Sequence, residues 1–398
     1  MQPRICLIWT MLLAIAAAYC VGQTATAPDQ QRQTALALEQ QGDNVEAEAA
    51  WRAYLKAHPS SPEAYAHLGL LEARQGHYTE AVPLYRKALA QDPGMRALRL
   101  DLGLALFKAG DLKEAIPEFT LLLKGQPPSS PEAQRLTILI GMAHYGLREY
   151  AQAVPYLKKA AAADAQNLPL RLALAHSCLW SKQYKCVLDT YHEILMLNAE
   201  SAEADMLAGE ALDELKNHFG AIQQFRAAVK ADPKMPDVHF GLGYLLWTHK
   251  QYAEAAAEFQ AELDNNPNHG QALTYLGDCN LVLNHPEIAQ PLLEKAIQAD
   301  PGIELAHLDL GVIDADAGRQ DDALRELTVA EKLAPNDVNV HWRLGRFYQT
   351  TGRKDEAKIE FDKTRGLVKA ADDAVVDKMG GAQAKGRPAQ QPAAEPGK

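Results

Sequence analysis

Three histidines at regular spacing are the residues of this 398-residue chain best placed to suggest metal binding or proton transfer. His239, His307 and His341 are separated by multiples of 34 residues. A zinc site needs three or four ligands around one point. Residues in one column of a helical repeat lie a helix diameter apart, about 10 Å. The spacing therefore predicts histidines that pack in a column and no metal centre.

Neighbouring carboxylates are a second candidate for chemistry, as an acid–base pair. Asp213–Glu214 and Asp321–Asp322 have the right residue types. Such catalysis needs a buried pocket that shifts the pKa of one partner, and nothing in these segments implies one. We interpret both pairs as solvated helix faces. The sequence also lacks phosphate-loop, nucleophile-elbow and paired-cysteine motifs, so it predicts no catalytic residue, no cofactor and no metal.

Composition favours a helical chain and disfavours two classes of partner. Apolar residues make up 47% of the chain and aromatic residues only 7%. The 40 basic and 51 acidic residues give a net charge of −11, which disfavours nucleic-acid binding. No run of 18 apolar residues follows the N-terminal segment, so we expect no membrane span in the body of the chain.

The N-terminal segment has the order of an export signal. Arg4 provides a positive charge, the stretch from Ile5 to Ala18 is apolar, and small and polar residues follow. We predict a cleaved signal peptide over residues 1–22, a linker over 23–27, and a periplasmic or secreted protein. Lipid attachment at Cys20 is disfavoured because the bulky Tyr19 precedes it.

The cysteines that remain after signal cleavage are odd in number. Cys178, Cys186 and Cys279 do not form a disulfide framework. Cys178 and Cys186 could pair across one inter-helix turn in an oxidising compartment, or stay buried as free thiols. The free thiols are the favoured alternative.

A repeat of 34 residues organises the chain. Small residues recur in one column as Gly69, Gly103, Gly141, Gly209, Gly243, Gly277, Gly311 and Gly345. A large apolar residue follows sixteen positions later, and Pro closes seven of ten repeats. Apolar spacings of three and four make each half an amphipathic helix, and the glycines let the two helices approach closely.

These columns predict ten repeats over residues 28–371. The predicted starts are residues 28, 62, 96, 134, 168, 202, 236, 270, 304 and 338. A final capping helix is expected over 367–379, and a disordered tail over 380–398 because that segment is rich in Gly, Pro, Ala and Gln.

The ten repeats resemble tetratricopeptide repeats. The resemblance implies an all-α, right-handed superhelical solenoid of helix-turn-helix repeats. It also implies a scaffold that is not an enzyme and that binds an extended protein segment in its concave groove. An adaptor in cell-envelope polysaccharide synthesis or export is the alternative. Sugar transferases with such repeats place a catalytic half after the array, whereas only 27 residues follow Ala371.

The inward positions of the first helices form the predicted binding groove. The groove hypothesis assigns partner binding to Glu203, Glu210, Asp213, Glu214, Asp237, Phe240, Tyr244, Trp247, Tyr275 and Asp278. Asp309, Asp316 and Arg343 occupy inward positions of the last two repeats. A secondary patch comprises Met142, Tyr145, His176 and Trp180. Acids beside aromatic rings favour a basic and apolar peptide, although polysaccharide stays open because rings also stack on sugars.

Overall fold

The computed structural model describes residues 27–385 of the chain, and side chains over residues 30–374. The predicted signal peptide, all but the last residue of the linker, and residues 386–398 of the predicted tail lie outside the described residues. The described residues divide into two compact units, one ending at Cys186 and the other beginning at Val187.

Twenty α-helices and no strand make up residues 27–385, so this part of the chain is an all-α solenoid of helix-turn-helix repeats. The first nine are α1 (Ala27–Gln41), α2 (Asn44–Ala57), α3 (Pro62–Arg74), α4 (Tyr78–Gln91), α5 (Arg96–Ala109), α6 (Leu112–Leu123), α7 (Pro131–Gly146), α8 (Tyr150–Ala163) and α9 (Leu168–Trp180). The boundary between the two units falls within α10 (Tyr184–Leu197).

The remaining ten helices belong to the C-terminal unit. They are α11 (Ala202–Glu214), α12 (His218–Ala231), α13 (Val238–Thr248), α14 (Tyr252–Asn265), α15 (Gly270–Val282), α16 (Pro286–Ala299), α17 (Glu304–Asp316), α18 (Gln320–Leu333), α19 (Val338–Thr350) and α20 (Lys354–Lys385). Odd-numbered helices are the first helices of the repeats, and in this unit α13, α15, α17 and α19 pack side by side.

The glycine column is where the two helices of a repeat touch. A Cβ atom on Gly243 would lie 2.8 Å from Cε1 of Phe259, the large residue sixteen positions later. The other seven glycines of the column meet the corresponding large residue at similar distances, from 2.6 to 3.0 Å. No side chain can occupy those positions without displacing the facing ring or leucine. The sequence columns therefore record a close helix–helix contact in these eight repeats.

α7 begins at Pro131, because the four residues inserted before residue 134 add a first turn to this helix, and the Ser130 hydroxyl caps that turn by accepting from the Ala133 amide. The helix bounds differ from the predicted ones at two places. α13 begins only at Val238, because Asp237 has a left-handed backbone with φ 63°. The residues of the predicted capping helix, 367–379, are helical and form part of α20, which continues without a break from Lys354 to Lys385.

Two features explain the uninterrupted α20. No proline occurs between Lys354 and Lys385. Gly366 lies inside this helix with open space around the position of a Cβ atom, and no neighbouring element forces a turn there. Residues 380–385, predicted as the start of a disordered tail, are the last part of the same helix.

Cys178 and Cys186 form a disulfide, so the favoured prediction of free thiols is wrong for this pair. Cys178 lies in the last turn of α9 and Cys186 in the first turn of α10, with Cα atoms 5.8 Å apart. That separation falls within the usual range for a disulfide. The third cysteine, Cys279, is a buried free thiol.

Within the described residues, no helix is both long enough and apolar enough to span a bilayer.

Candidate functional site

Four aromatic rings of the predicted groove form one connected cluster, named here the ring cluster: Phe240, Tyr244, Trp247 and Tyr275. The first three lie on α13 and Tyr275 lies on α15. Ring centroids are 4.9 Å apart for Trp247 and Tyr275, 5.5 Å for Tyr244 and Tyr275, and 5.9 Å for Tyr244 and Trp247. The sequence prediction thus selected side chains that the fold brings together.

The ring cluster has a buried side and an open side. Phe240 and Tyr275 pack against Phe259 in the core, with ring centroids 5.8 and 5.6 Å away. Tyr244 is 40% exposed. An exposed ring held by its neighbours loses little conformational entropy when a ligand covers it. The open side can therefore act as an apolar contact surface for a ligand.

The predicted groove acids are exposed or half-buried, and they differ in their hydrogen-bond partners. Asp213 accepts a hydrogen bond from Nδ1 of His218 at 2.7 Å, and Asp237 pairs with Nε2 of His269 at 3.0 Å. On α11, Glu203 is half-buried, Glu210 and Glu214 are exposed, and none of the three is without a partner. Asp278 is also half-buried, and it differs from these acids because it accepts a hydrogen bond from Trp247 of the ring cluster.

Asp278 forms part of the wall of a pocket of about 580 Å³ between repeats eight and nine, named here the acidic pocket. Its wall comes from α15, α16 and α17, the turns after α15 and α17, and Arg343 of α19. Asp309 and Asp316 add two further carboxylates. Leu281, Val312 and Ile313 supply apolar surface. A cavity of this kind suits a group that has an apolar stem and a charged end.

The Trp247 indole joins the ring cluster to the acidic pocket. Its Nε1 donates a hydrogen bond to Oδ2 of Asp278 over 2.5 Å. Burial raises the pKa of the Asp278 carboxyl, and the bond from Trp247 opposes that rise. The same carboxylate therefore faces both features of the site.

Asp309 is the most buried carboxyl of the pocket. Only 6% of the residue is exposed, and its Oδ2 atom is buried without a hydrogen-bond partner. Burial raises the pKa of Asp309 well above its usual value, and the negative charge of Asp278 raises it further. The two carboxyl groups are close enough to hydrogen-bond when Asp309 holds a proton.

Two arginines limit the negative charge of the pocket without neutralising it. Arg319 is committed to Asp314, with its guanidinium 2.6 Å from Oδ1. The guanidinium of Arg343 lies over the ring of Trp342, 5.2 Å from the centroid. Its positive charge lowers the pKa of both Asp278 and Asp309, but less than burial raises them. Burial therefore outweighs the charge of Arg343 in setting the pKa of both carboxyl groups.

The periodic histidines are buried and each bonds to a glutamate of its own repeat. Nδ1 of His239, His307 and His341 lies 2.6, 2.7 and 2.6 Å from a carboxylate nineteen residues later. Arg99 and Glu118 form the same kind of pair at 2.7 Å in the third repeat. These pairs link the first helix of a repeat to its second helix, which is a structural role.

Two groups of side chains in the described residues have the spacing of metal ligands, and both are already engaged. The first is Asp237, Glu262 and His269, in which Glu262 accepts from the Phe240 amide and His269 accepts from the Ala272 amide. The second is Glu331, His341 and Glu360. There the ammonium of Lys363 donates to both glutamates, at 2.8 and 2.9 Å. That ammonium supplies the charge a cation would bring.

The secondary patch lies in the N-terminal unit, on α7 and α9. Tyr145 and His176 are half-buried with ring centroids 6.4 Å apart, and Met142 is half-buried on the same helix as Tyr145. Trp180 is 63% exposed and stacks on Tyr150, 6.2 Å away. The described part of this patch holds an exposed ring but no buried acid pair.

The pairing of Asp278 with Asp309 was not predicted from the sequence. The predicted candidates for an acid–base pair were carboxylates adjacent in the chain, and those lie in exposed or half-exposed positions. The pattern that indicates this pairing is a spacing of 31 residues, about one helical turn less than the 34-residue repeat. Trp247 and Asp278 have this spacing, as do Arg32 and Glu63 in the first two repeats. Asp309 follows Asp278 by the same interval, since 309 − 278 = 31.

Family models described as "Tetratricopeptide repeat" match most of the chain. The matches cover residues 32–96, 68–131, 100–167, 188–236, 208–270, 240–302, 281–338 and 338–363. The chain belongs to the tetratricopeptide repeat family. This is a protein-interaction fold whose members are generally non-catalytic scaffolds.

Individual relatives are distant. The chain is 23% identical to anaphase-promoting complex subunit 3 of Schizosaccharomyces pombe, over 46% of this chain and 27% of that protein. It is 26% identical to BBSome complex member BBS4 of Bos taurus, over 51% of this chain and 39% of that protein. The chain thus spans only about a quarter to two fifths of these relatives.

One similar solved structure is the APC/C hetero-tetramer Cut9–Hcn1. It has a TM-score of 0.43 and 12% identity, over 86% of this chain and 88% of that chain.

Proposed function

We propose that this protein is an exported, non-catalytic scaffold whose C-terminal unit binds an extended peptide segment with basic and apolar side chains. The segment lies across the first helices of repeats seven to nine. Its apolar side chains contact the ring cluster, and a basic side chain faces the carboxylates beside it.

The hydrogen bond from Trp247 to Asp278 is the observation that carries this proposal. Through this bond the indole of Trp247, which belongs to the apolar ring cluster, directly contacts Asp278, which lines the acidic pocket. Tyr244 provides the exposed ring. Aromatic anchors commonly dominate peptide affinity, and acidic walls speed the capture of cations, an effect that salt weakens.

Export is part of the proposal, and the disulfide supports it. Disulfides persist in oxidising compartments and are rare in the cytosol of most organisms. The Cys178–Cys186 bond is therefore consistent with a signal peptide over residues 1–22. An intact mass of the protein recovered from its native cells should place the N-terminus between Val21 and Pro28. An intact Met1 on cytoplasmic protein would overturn export.

A peptide selection tests the binding proposal. Random decapeptides displayed on phage are selected on the exported chain, and the enriched peptides are measured by surface kinetics. We expect lysine or arginine next to aromatic or aliphatic residues among them. Tyr244→Ala should then weaken binding at least tenfold, mainly through faster dissociation.

Trp180→Ala is the matched control, because it removes an exposed ring from the secondary patch. It should leave affinity unchanged. If Trp180→Ala abolishes binding and Tyr244→Ala does not, the site lies in repeats four and five and the proposed location is wrong. Selection of acidic peptides would contradict the proposed charge of the partner.

A further inference from the structure

The acidic pocket contains a buried carboxyl group, that of Asp309, whose desolvation costs free energy that packing alone does not explain. Asp309 is nine-tenths buried, its Oδ2 atom lacks a partner, and that residue forms part of the wall of an open cavity. A buried carboxyl oxygen without a hydrogen-bond partner is unfavourable, because burial removes the water that would otherwise solvate it. A side chain in this state is suited to a ligand that supplies the missing donors.

Charged and titratable groups face Asp309 from every element that packs against it. They are Asp278 on α15, Glu287 on α16, Glu304 and Asp316 on α17, Arg319 before α18, and Arg343 on α19. Four of the six are acids, and Arg319 is committed to Asp314. The surroundings therefore attract a cation and repel an anion.

We propose that the acidic pocket binds a primary ammonium group on the carboxyl groups of Asp278 and Asp309, and that a lysine side chain of the extended partner supplies it. The lysine stem contacts Leu281, Val312 and Ile313. This inference rests on the proposed function, because the same partner covers the ring cluster. An ammonium is a compact charge with three donors, so it can bond to both carboxylates at once.

Ammonium binding displaces a proton that Asp309 retains. Burial, reinforced by the negative charge of Asp278, raises the pKa of Asp309, so this carboxyl keeps its proton to a higher pH than a solvated one. When the ammonium enters, its charge stabilises both carboxylates and the proton passes to solvent. Binding is therefore coupled to proton release and strengthens as pH rises towards neutrality.

Calorimetry with the exported chain tests this inference. The probe is a capped pentapeptide with a central lysine between leucine and tyrosine. It is titrated at several pH values between 5 and 8, each in two buffers of different ionisation enthalpy. We expect release of a substantial fraction of one proton per peptide at some pH in this range. A peptide with norleucine at the centre, which keeps most of the stem and lacks the charge, should bind at least tenfold more weakly.

Asp309→Asn should abolish the proton release and weaken the lysine peptide at least tenfold. Asp264→Asn is the matched control, because Asp264 is exposed on α14 and outside the pocket. It should change neither quantity. Equal binding of the lysine and norleucine peptides, or proton release that persists in Asp309→Asn, overturns the inference. Equal binding of an arginine peptide overturns its selectivity for ammonium.

Two further arms separate this inference from the proposed function. If Tyr244→Ala removes peptide binding while Asp309→Asn does not, the scaffold proposal stands and the ammonium site fails. If free pentylamine binds with dependence on Asp309 while no peptide binds, the ammonium site stands and the peptide proposal fails.

Discussion

Nε1 of Trp247 and Oδ2 of Asp278 are 2.5 Å apart, although 31 positions separate the two residues in the sequence. Asp309 lies another 31 residues on and hydrogen-bonds to Asp278 when it is protonated. Three successive repeats therefore contribute one side chain each to a continuous polar line across α13, α15 and α17. This line joins an aromatic surface to a buried carboxyl pair.

Trp247→Phe should destabilise the C-terminal unit while keeping most of the ring contacts. The substitution removes the donor to Asp278. A hydrogen bond to a charged partner contributes about 1–3 kcal/mol, so urea unfolding at neutral pH should show a loss in that range. Trp180→Phe is the control, because that indole is mostly exposed. Equal effects of the two substitutions would contradict the importance of the Trp247 bond.

Gly243→Ala and Gly366→Ala should change stability in opposite directions. A Cβ on Gly243 would lie 2.8 Å from the Phe259 ring, whereas no neighbouring side chain lies within 4 Å of the corresponding position on Gly366. Overpacking costs about 1–3 kcal/mol. Replacing a helical glycine by alanine in open space gains about 0.5–1 kcal/mol. Chemical unfolding measures both, and a destabilised Gly366→Ala or a neutral Gly243→Ala would argue against this packing.

Asp309→Asn should stabilise the protein at neutral pH and make its free energy of unfolding depend less on pH. Burial raises the native pKa of Asp309 well above 3.8, so the native state holds a proton that the unfolded chain has released. The free energy of unfolding therefore falls as pH rises from about 4 through the native pKa. Unfolding curves from pH 4 to pH 8 should show this fall for the parent and a smaller one for the variant. A steeper fall for the variant than for the parent would exclude a raised native pKa of Asp309.

Reduction of the Cys178–Cys186 disulfide should destabilise the N-terminal unit. The bond closes a short loop, with a sequence separation of 8 residues. Loop-closure entropy for this length gives roughly 2–3 kcal/mol. Thermal melts with and without dithiothreitol should differ accordingly, while a Cys178→Ser/Cys186→Ser double variant should not respond to the reductant. Thiol titration of the unfolded, unreduced protein should find neither cysteine free, and two reactive thiols from this pair would contradict the bond.

The periodic part of the fold was predictable because each repeat makes the same contact. Gly243 and Phe259 keep a separation of sixteen residues that recurs along the chain. The glycine column and the large apolar column have one cause, because the glycine leaves room for the large side chain that faces it. Helix continuity after Gly366 was not predictable from that pattern, because it depends on the absence of a competing contact. The disulfide depended on the orientation of two helices around one turn, which spacing alone does not determine.

The candidate site was predictable only in part. The four rings were found because helical spacing identifies the inward positions of each first helix. Asp309 was placed inward as well, but its burial depends on neighbours in adjacent repeats. Tyr275, Asp309 and Arg343 occupy one column of three successive repeats, so each is the neighbour of the next. The chemistry of the pocket thus arises from differences between repeats, whereas the fold arises from what the repeats share.

Site-specific photo-crosslinking tests the central claim most directly. A benzoylphenylalanine replaces Tyr244 in the exported chain, and a second sample carries it at Phe219, an exposed ring on the second helix α12. Both are irradiated with the selected lysine peptide and the crosslinks are mapped by mass spectrometry. The account predicts crosslinks from position 244 that Asp309→Asn and excess unlabelled peptide both suppress, and none from position 219. Equal crosslinking from the two positions, or crosslinking at 244 that neither condition reduces, would contradict binding across the first helices of the C-terminal unit.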